Sequence, residues 1–447
     1  IDMITGFPLL MLTLPLVAAL AALALGRWPR LAITAGVVAL LALSVLLTFA
    51  STDSAGGAMA NTSAAYGVQL VLTPGVRRLF LYIYPALALL FTLVWFQQTG
   101  RALVPAGLAM LSPLAAALMI TPPGLGAALM SAAVALLAPA LYAGRYEAAA
   151  AAWRWFLMVV LGLLALIWLS WLQTSGSAAN PVLPLLLATL LLLGGLPFHI
   201  WVRPLARTAS LPALALAVGL AQLGLVVLLL AALDAAPVAR SSVEFQTAVR
   251  GSIALTALLG AFLMVRAREW RGLVAAALLL DGGFLITSGL APGASGLTLA
   301  LTALISRTLG LLLIAVGLNL PARHRRSLWR DGPEVGQALL VYGCLSLVGL
   351  PLTPGFVARW AQVAQLAPAT LGVGAAGSLL PLLAVGVGGL ALARLAARSD
   401  SGQPEAAEHG AVGRGEWLLA VGLLVLAALL GLLPGLLAGF AGWLAGL

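Results

Sequence analysis

The sequence predicts an all-α polytopic membrane protein, and three observations support this fold class. The chain has 447 residues, of which 62% are hydrophobic and only 8% are charged, whereas soluble domains carry roughly 25% charged residues. Apolar runs of about 20 residues, long enough to cross the hydrocarbon, recur along the chain. The charged residues fall mostly between these runs. A soluble core could not cover this much apolar surface, so we expect lipid to surround the helices.

The apolar runs predict about fourteen transmembrane helices. Each helix moves the chain to the other side of the membrane, so the number of helices also determines the topology. The predicted spans are 6–26, 31–50, 79–97, 102–120, 124–143, 152–172, 181–200, 211–233, 248–265, 271–290, 296–318, 335–366, 374–396 and 416–435.

The arginines lie mostly on one side of the membrane in this arrangement. The chain has no lysine, and seventeen of its 23 basic residues fall on one side. Arg307 and Arg359 fall inside predicted spans. The four on the opposite side are Arg77, Arg78, Arg240 and Arg250. Because positively charged loops stay in the cytoplasm, we expect a multi-pass membrane protein with both termini on the outer side.

Several kinds of protein are disfavoured by the same sequence. The single cysteine, Cys344, excludes a disulfide framework and a thiolate metal cluster. The first apolar run lacks a basic leader and a cleavage site, so we expect a first span rather than a signal peptide. Basic and aromatic residues do not cluster as in nucleic-acid-binding proteins. The polar loops 51–77 and 397–415 are too short for a soluble domain, which predicts a single transmembrane domain over 1–447.

Two of the predicted helices contain helix-breaking residues at their centre or end. Proline removes a backbone donor, and non-helical backbone at membrane depth persists only inside protein or beside water. Paired breaks in the two halves of a chain are typical of transport sites. The alternative to a transport site is that these residues only kink helices that are packed inside the protein. The break residues are Gly194, Gly195 and Pro197 in the first helix and Gly349, Pro351, Pro354 and Gly355 in the second.

Five stretches between residues 65 and 370 resemble, in the same order, motifs of the antiporter-like subunits of respiratory complex I. "GLPFHIWVRPLARTASLP" is similar to their P-F-H-x-W-x-P-D stretch, and "LSLVGLPLTPGFVARW" is similar to their S-L-x-G-L-P-P-T-A-G-F signature. Looser likenesses are "GVQLVLTPGVRRLFLYIYPALALL", "LYAGRYEAAAAAWRWFLMVVLG" and "WRGLVAAALLLDGGFLITSGL". Together these motifs indicate the superfamily, which includes the Mrp antiporters, and a divergent member of it.

The resemblance implies two inverted five-helix repeats, each with a broken helix, beside similar subunits in a membrane arm. It also implies a central row of lysines, a glutamate and histidines that carries protons, with His199 capping the first break. The expected organisation is N-terminal helices 1–100, first repeat 101–233, second repeat 248–396, cytoplasmic loop 397–415 and C-terminal helix 416–447.

The chain departs from the family at the residues that would carry protons. A buried lysine can release its proton, whereas arginine stays protonated. We therefore expect a degenerate or altered proton channel, above all in the first repeat. The family's glutamate is replaced by Ala135, and its histidine or glutamine by Asp281. Its lysines are replaced by Leu192, Gln222, Arg307 and Arg359.

Six residues are candidates for a proton path or charge axis: His199, Asp281, Arg307, Arg359, Gln222 and Arg154. Asp281 is expected to pair with Arg307 or Arg359, because charges at the bilayer centre are costly unless paired. The alternatives are structural. In these alternatives the ion pair serves packing alone, and Gln222 forms a hydrogen bond to a neighbouring helix. In the same way, His199 would only cap the break, and Arg154 would belong to the positive cytoplasmic edge. No residue is predicted to be catalytic by itself or to bind metal.

The predicted function is that of a membrane-arm subunit of a proton-translocating NADH-quinone oxidoreductase, a translocase whose redox chemistry lies in other subunits. We expect this chain to bind no cofactor, and its partner subunits to hold NADH, FMN, iron–sulfur clusters and quinone. Expected partners are sister antiporter-like subunits, other membrane subunits, the peripheral redox arm and lipid, but no nucleic acid. The alternatives are a subunit of a cation/proton antiporter, of a membrane-bound hydrogenase or of an inorganic-carbon uptake complex, and a non-transporting scaffold.

Overall fold

A computed structural model describes nine segments of the chain, which are 7–49, 69–97, 102–121, 123–142, 146–175, 180–323, 332–366, 374–399 and 414–446. Almost all of this is helical, so the prediction of an all-α polytopic membrane protein is confirmed. Within the described residues, ten helices are long and apolar enough to cross a membrane. Five shorter apolar helices accompany them: Leu103–Met119, Val182–Leu193, Val335–Val348, Leu380–Ala396 and Pro434–Ala445.

The first part of the chain forms six long helices. They are α1 (Phe7–Ala24), α2 (Pro29–Phe49), α3 (Pro74–Gln97), α4 (Leu103–Met119), α5 (Pro123–Leu141) and α6 (Tyr146–Ser175). A short antiparallel pairing links Gln69–Leu70, which precedes α3, to Ile120–Thr121 at the end of α4. Most of the predicted outer loop 51–77 lies outside the described residues.

The first interrupted helix and the elements that follow it occupy the middle of the sequence. They are α7 (Val182–Leu193), a 3₁₀ turn (His199–Trp201), α8 (Val202–Thr208), α9 (Leu211–Ala215), a π-helical segment (Leu216–Ala221), α10 (Gln222–Ala235) and α11 (Pro237–Ser241). The π-helical segment continues directly into α10, so α9 to α10 form one spanning unit.

The last part of the chain contains the second interrupted helix, which is α15 followed by α16. Its elements are α12 (Val243–Val265), α13 (Trp270–Leu285) with a 3₁₀ turn (Ile286–Gly289), α14 (Gly293–Arg323), α15 (Gly332–Val348), α16 (Pro354–Leu366), α17 (Gly374–Ser399), α18 (Arg414–Leu432) and α19 (Pro434–Ala445).

Both predicted breaks are present, and two predicted boundaries need correction. The span predicted at 181–200 is helical only to Leu193, because the glycine pair that follows ends it. The span 335–366 is interrupted as predicted, since α15 ends at Val348 and α16 begins at Pro354. The single C-terminal helix predicted within 416–447 is also two helices, since Pro434 starts a new helix after Leu433. Residues 400–413 of the predicted cytoplasmic loop lie outside the described residues.

The core of the molecule lies around three helical units. The apolar window of α14 is fully buried, that of α13 is 94% buried and that of α9 to α10 is 89% buried, whereas those of α1 and α18 are only 22% and 28% buried. The buried helices carry Gln222, Asp281 and Arg307. The exposed helices present apolar side chains outward, as expected of helices that face lipid or neighbouring subunits. In each half the broken helix is the fourth of five consecutive spans, counted from α4 and from α12.

Candidate functional site

The first break begins where α7 ends in a left-handed glycine. Gly194 has φ +70°, a conformation that L side chains rarely adopt. The N–H of Gly194 and that of Gly195 both turn back to the carbonyl of Leu190, the latter at 2.9 Å. These bonds satisfy a carbonyl that the end of the helix would otherwise leave unpaired.

Two hydroxyl side chains of α12 complete this break. The N–H of Leu196 donates to Oγ1 of Thr256 at 2.9 Å, and Oγ of Ser252 donates to the carbonyl of Leu196 at 3.1 Å. A Cβ on Gly195 would lie 2.8 Å from Oγ of Ser252, so the glycine lets the two segments approach. The non-helical backbone is therefore paired inside the protein, as membrane depth requires.

His199 directly follows the first break, where it opens the 3₁₀ turn. Its Nδ1 atom is buried without a hydrogen-bond partner of ordinary geometry among the described residues. The glycine turn and the two hydroxyls of α12 satisfy other backbone groups of the break. The capping role of His199 and its place in a proton path both stay predictions.

The second break repeats the glycine turn. Gly349 has φ +86°, and its N–H donates to the carbonyl of Leu345 at 2.9 Å. A Cβ on Gly349 would lie 2.0 Å from Cγ of Arg359, so this glycine provides the space for that arginine. After the turn, the N–H of Gly355 donates to Oγ of Ser346 at 3.2 Å. Pro351 lies exposed within the turn, and Pro354 is the first residue of α16.

Asp281 lies between the two breaks and pairs with two arginines. Its side chain is 6% exposed. Oδ2 accepts from Nε of Arg307 on α14, and Oδ1 accepts from Nη2 of Arg359 on α16. The predicted pairing with Arg307 or Arg359 is confirmed, and the structure brings both arginines to the same carboxylate.

Hydrogen bonds continue from this ion triad to the first break. Nη1 of Arg307 donates to Oε1 of Gln222 at 2.6 Å, and Nε2 of Gln222 donates to the carbonyl of Leu192 at 3.2 Å. Leu192 is the residue before the last of α7. Nη1 of Arg307 also reaches the carbonyl of Val218 in the π-helical segment at 3.2 Å, and such segments often mark functional sites.

The triad reaches the second break through Arg359. Nη2 of Arg359 donates to the carbonyl of Leu347 at 2.9 Å, beside the end of α15. Nη1 donates to Oε1 of Gln362 at 2.9 Å, and the guanidinium lies 4.5 Å from the ring centre of Phe284. We call this set the break-to-break network: Leu192, Gln222, Arg307, Asp281, Arg359 and Leu347.

The helix ends compensate the charge of this network. Two guanidiniums and one carboxylate leave one positive charge in the interior. The C-terminus of a helix carries the equivalent of about half a negative charge. Both α7 and α15 end at the network, so their two termini together offset about one positive charge. The breaks thus provide electrostatic stabilisation that two continuous helices could not.

Two buried donors face a small cavity beside the network. Nη2 of Arg307 and Nε1 of Trp201 have no hydrogen-bond partner within the described part of the chain. Both residues line a cavity of about 10 Å³, together with Gly194 and Gln222. That volume accommodates one water-sized molecule, which could accept from both donors.

The structure separates the sixth candidate from the others. Arg154 lies exposed on α6, in a cleft with Arg203 and Arg207, and it has no bond to the network. Sequence reasoning missed four residues that serve the site, which are Ser252, Thr256, Phe284 and Gln362. Only Gln362 gave a usable signal, because it lies three residues after Arg359 and so on the same helical face. Across the described residues, no cluster of three or more His, Cys, Asp or Glu side chains is placed to hold a metal ion.

Comparison with solved structures shows which fold this is. A chain of respiratory complex I from Thermus thermophilus is 20% identical, with a TM-score of 0.74 over 98% of this chain and 99% of that one. A chain of the membrane-bound sulfane sulfur reductase, an archaeal respiratory membrane complex, is 15% identical, with a TM-score of 0.74 over 98% and 97% of the two chains.

A third similar chain belongs to the Mrp complex from Dietzia sp. DQ12-45-1b. It is 18% identical with a TM-score of 0.73, and 98% of this chain matches 52% of that one. The chain shares its fold with these three chains of membrane complexes. The fold expected from the motifs is therefore confirmed. No protein-family model and no curated protein matches the sequence.

Proposed function

We propose that this chain is a membrane subunit of a proton-translocating complex, in which the break-to-break network couples the two interrupted helices. The main observation behind this proposal is the continuous series of hydrogen bonds and ion pairs from Leu192 to Leu347. The fold shared with subunits of three multi-subunit membrane complexes supports the proposal.

The residue types of the network favour electrostatic coupling over proton relay. Arginine keeps its proton in proteins, so Arg307 and Arg359 transmit force and position rather than protons. In the first half, Leu192 contributes a carbonyl where the family's side chain would be a lysine, and Ala135 is exposed on α5. We infer that the chain's own channel is altered and that its contribution is conformational.

Our first candidate for the complex is the membrane arm of a bacterial NADH-quinone oxidoreductase. NADH, FMN, iron–sulfur clusters and quinone would bind to partner subunits, and this chain would act as a non-redox part of the translocase. In this proposal the arginine-rich end of the molecule faces the cytoplasm and both termini face the periplasm. The match over 99% of a complex I chain supports this candidate.

The second candidate is a cation/proton antiporter complex, favoured by the similarity to the Mrp chain. Membrane-bound hydrogenases and inorganic-carbon uptake complexes remain further possibilities within the same proposal. Purification of the native complex, with identification of its subunits by mass spectrometry, separates these candidates. Flavin and iron–sulfur subunits support the first, whereas membrane subunits alone support the second.

The coupling role is tested by Gln222→Leu, which removes the link between the carbonyl of Leu192 and Arg307 but leaves both ion pairs. The complex is reconstituted in proteoliposomes, and proton flux is driven by NADH or by an imposed sodium gradient. We expect flux to fall about tenfold, since hydrogen bonds to charged groups contribute about 1.5–3 kcal/mol. The matched control is Gln173→Leu, because Nε2 of Gln173 also donates to a carbonyl at 3.2 Å, but at an exposed helix end.

Assembly distinguishes coupling from scaffolding in this experiment. The subunit content of each variant complex is measured beside its flux. Reduced flux in a fully assembled Gln222→Leu complex supports coupling. Unchanged flux with disturbed assembly would instead indicate a scaffold that fills a place in the membrane arm.

A further inference from the structure

One face of α6 lines two cavities in succession. Its residues alternate between spacings of four and three, which keeps them on one side of a helix. The first part of this face borders a basic cleft at the arginine-rich end of the molecule, and the second part borders an apolar groove. The face consists of Glu147, Ala151, Arg154, Met158, Leu161, Ala165 and Trp168.

The basic cleft has a volume of about 720 Å³ and an excess of positive charge. Four arginines and two glutamates line it, and Glu269 lies 4.0 Å from Arg207. Nη1 of Arg271 donates to the carbonyl of Ala209 at 3.0 Å. Arg154 and Arg203 are exposed, and within the described residues they form no salt bridge. Their guanidiniums are therefore free to bind an anion, and guanidinium pairs well with phosphate.

The apolar groove continues along α6 and the first half of the broken helix. It has a volume of about 540 Å³, its α6 side runs from Met158 to Trp168, and Leu187, Leu191 and Phe198 form its other side. Ten helical residues extend over about 15 Å. The groove therefore offers an apolar surface of about that length, along which an acyl chain can lie. Because the basic cleft adjoins this surface, an occupant with an anionic end and an apolar tail matches both.

We propose that the cleft and the groove together bind one anionic phospholipid. The phosphate lies between Arg154 and Arg203, and an acyl chain lies against α6 and α7 as far as Phe198. Arg203 belongs to α8 and Phe198 to the break itself, so the lipid contacts both sides of the first interruption. This proposal does not depend on the proposed function.

The test uses the full chain in its native complex, delipidated in detergent and titrated with phosphatidylglycerol or phosphatidylcholine. Bound lipid is counted by native mass spectrometry. We expect tighter binding of phosphatidylglycerol, and an affinity about 30-fold lower in Arg154→Gln/Arg203→Gln, since each arginine near a membrane surface contributes a factor of roughly five. Arg30→Gln, an exposed arginine outside the cleft, should bind phosphatidylglycerol like the wild type.

Two further variants keep the proposal falsifiable. Arg154→Lys/Arg203→Lys keeps the charge and should retain most of the binding even if the glutamine variant folds poorly. Leu161→Trp narrows the groove and should weaken binding while leaving the cleft intact. The assignment would be overturned if both lipids bound equally, or if Arg30→Gln lost as much affinity as Arg154→Gln/Arg203→Gln. It would also be overturned if Leu161→Trp bound lipid as well as the wild type, or if the groove held a helix of a partner subunit.

Discussion

Replacing Asp281 by asparagine should destabilise the protein more than any other single loss of charge in the interior. The carboxylate is the shared partner of two buried guanidiniums. Asparagine keeps the shape but removes the negative charge, so the buried charge rises from one positive to two. The two helix termini offset only about one of them.

The expected cost follows from the energetics of buried ion pairs. Removing one partner of such a pair costs about 3–5 kcal/mol, because an uncompensated charge remains buried. Arg307 and Arg359 are each 3% exposed, so neither can turn toward water without opening the core. Adding Arg359→Gln to Asp281→Asn returns the interior to one positive charge. The double variant should therefore be more stable than Asp281→Asn alone, with a coupling of about 0.5–3 kcal/mol.

The measurement is the free energy of unfolding in mixed micelles, from titration with a denaturing detergent. Glu244→Gln serves as control, because Glu244 is an exposed acid at the start of a helix and its loss should cost no more than about 1 kcal/mol. If Asp281→Asn matched the control, or if the double variant were the less stable of the two, the electrostatic account of the network would be refuted.

Three further predictions concern the breaks and the single thiol. Gly349→Ala should prevent stable folding, because the residue has φ +86° and no space for a Cβ. The control is Gly386→Ala, because a Cβ at Gly386 would have no atom within 4 Å. In a thermal-shift assay the control should melt within a few degrees of the wild type. Thr256→Val should cost about 1–3 kcal/mol in the same micelle titration, since it leaves the N–H of Leu196 without its acceptor; an unchanged stability would show that this bond is dispensable. Cys344 is 0% exposed, so maleimide should label it only after denaturation, and rapid labelling of the native protein would contradict the packing around α15.

Composition and a few residue types were enough to predict the all-α membrane fold class and both breaks. Glycine and proline act locally, since one adopts positive φ and the other lacks a donor, and their effect can be read without knowing any neighbour. The pairing of Asp281 was also predictable, because an isolated charge in lipid is too costly to retain. Such inferences hold because they need only the residue and its solvent.

The hydroxyl and amide side chains that serve the breaks from distant parts of the chain were beyond that reasoning. Thr256 serves the first break from α12, yet Thr34 and Ser44 carry similar hydroxyls that bond only within their own helix. Nothing local distinguishes the two uses, because a hydroxyl in an apolar helix is satisfied either way. The role of Gln222 likewise depended on α7 and α14 meeting on either side of it. The span predicted at 416–435 ends next to Pro434, but the prediction missed that this proline begins a second helix.

The position of the two breaks makes them electrostatically dependent on each other. The positive charge shared by Arg307 and Arg359 is offset by the C-termini of α7 and α15, and each terminus exists only while its helix is interrupted. If one terminus withdrew, the charge would remain with half of its compensation, and the net attraction on it would be toward the other terminus. The network would respond by shifting position toward that terminus. Movement at one break therefore changes the energy of the other, as the proposed coupling of the two interrupted helices requires.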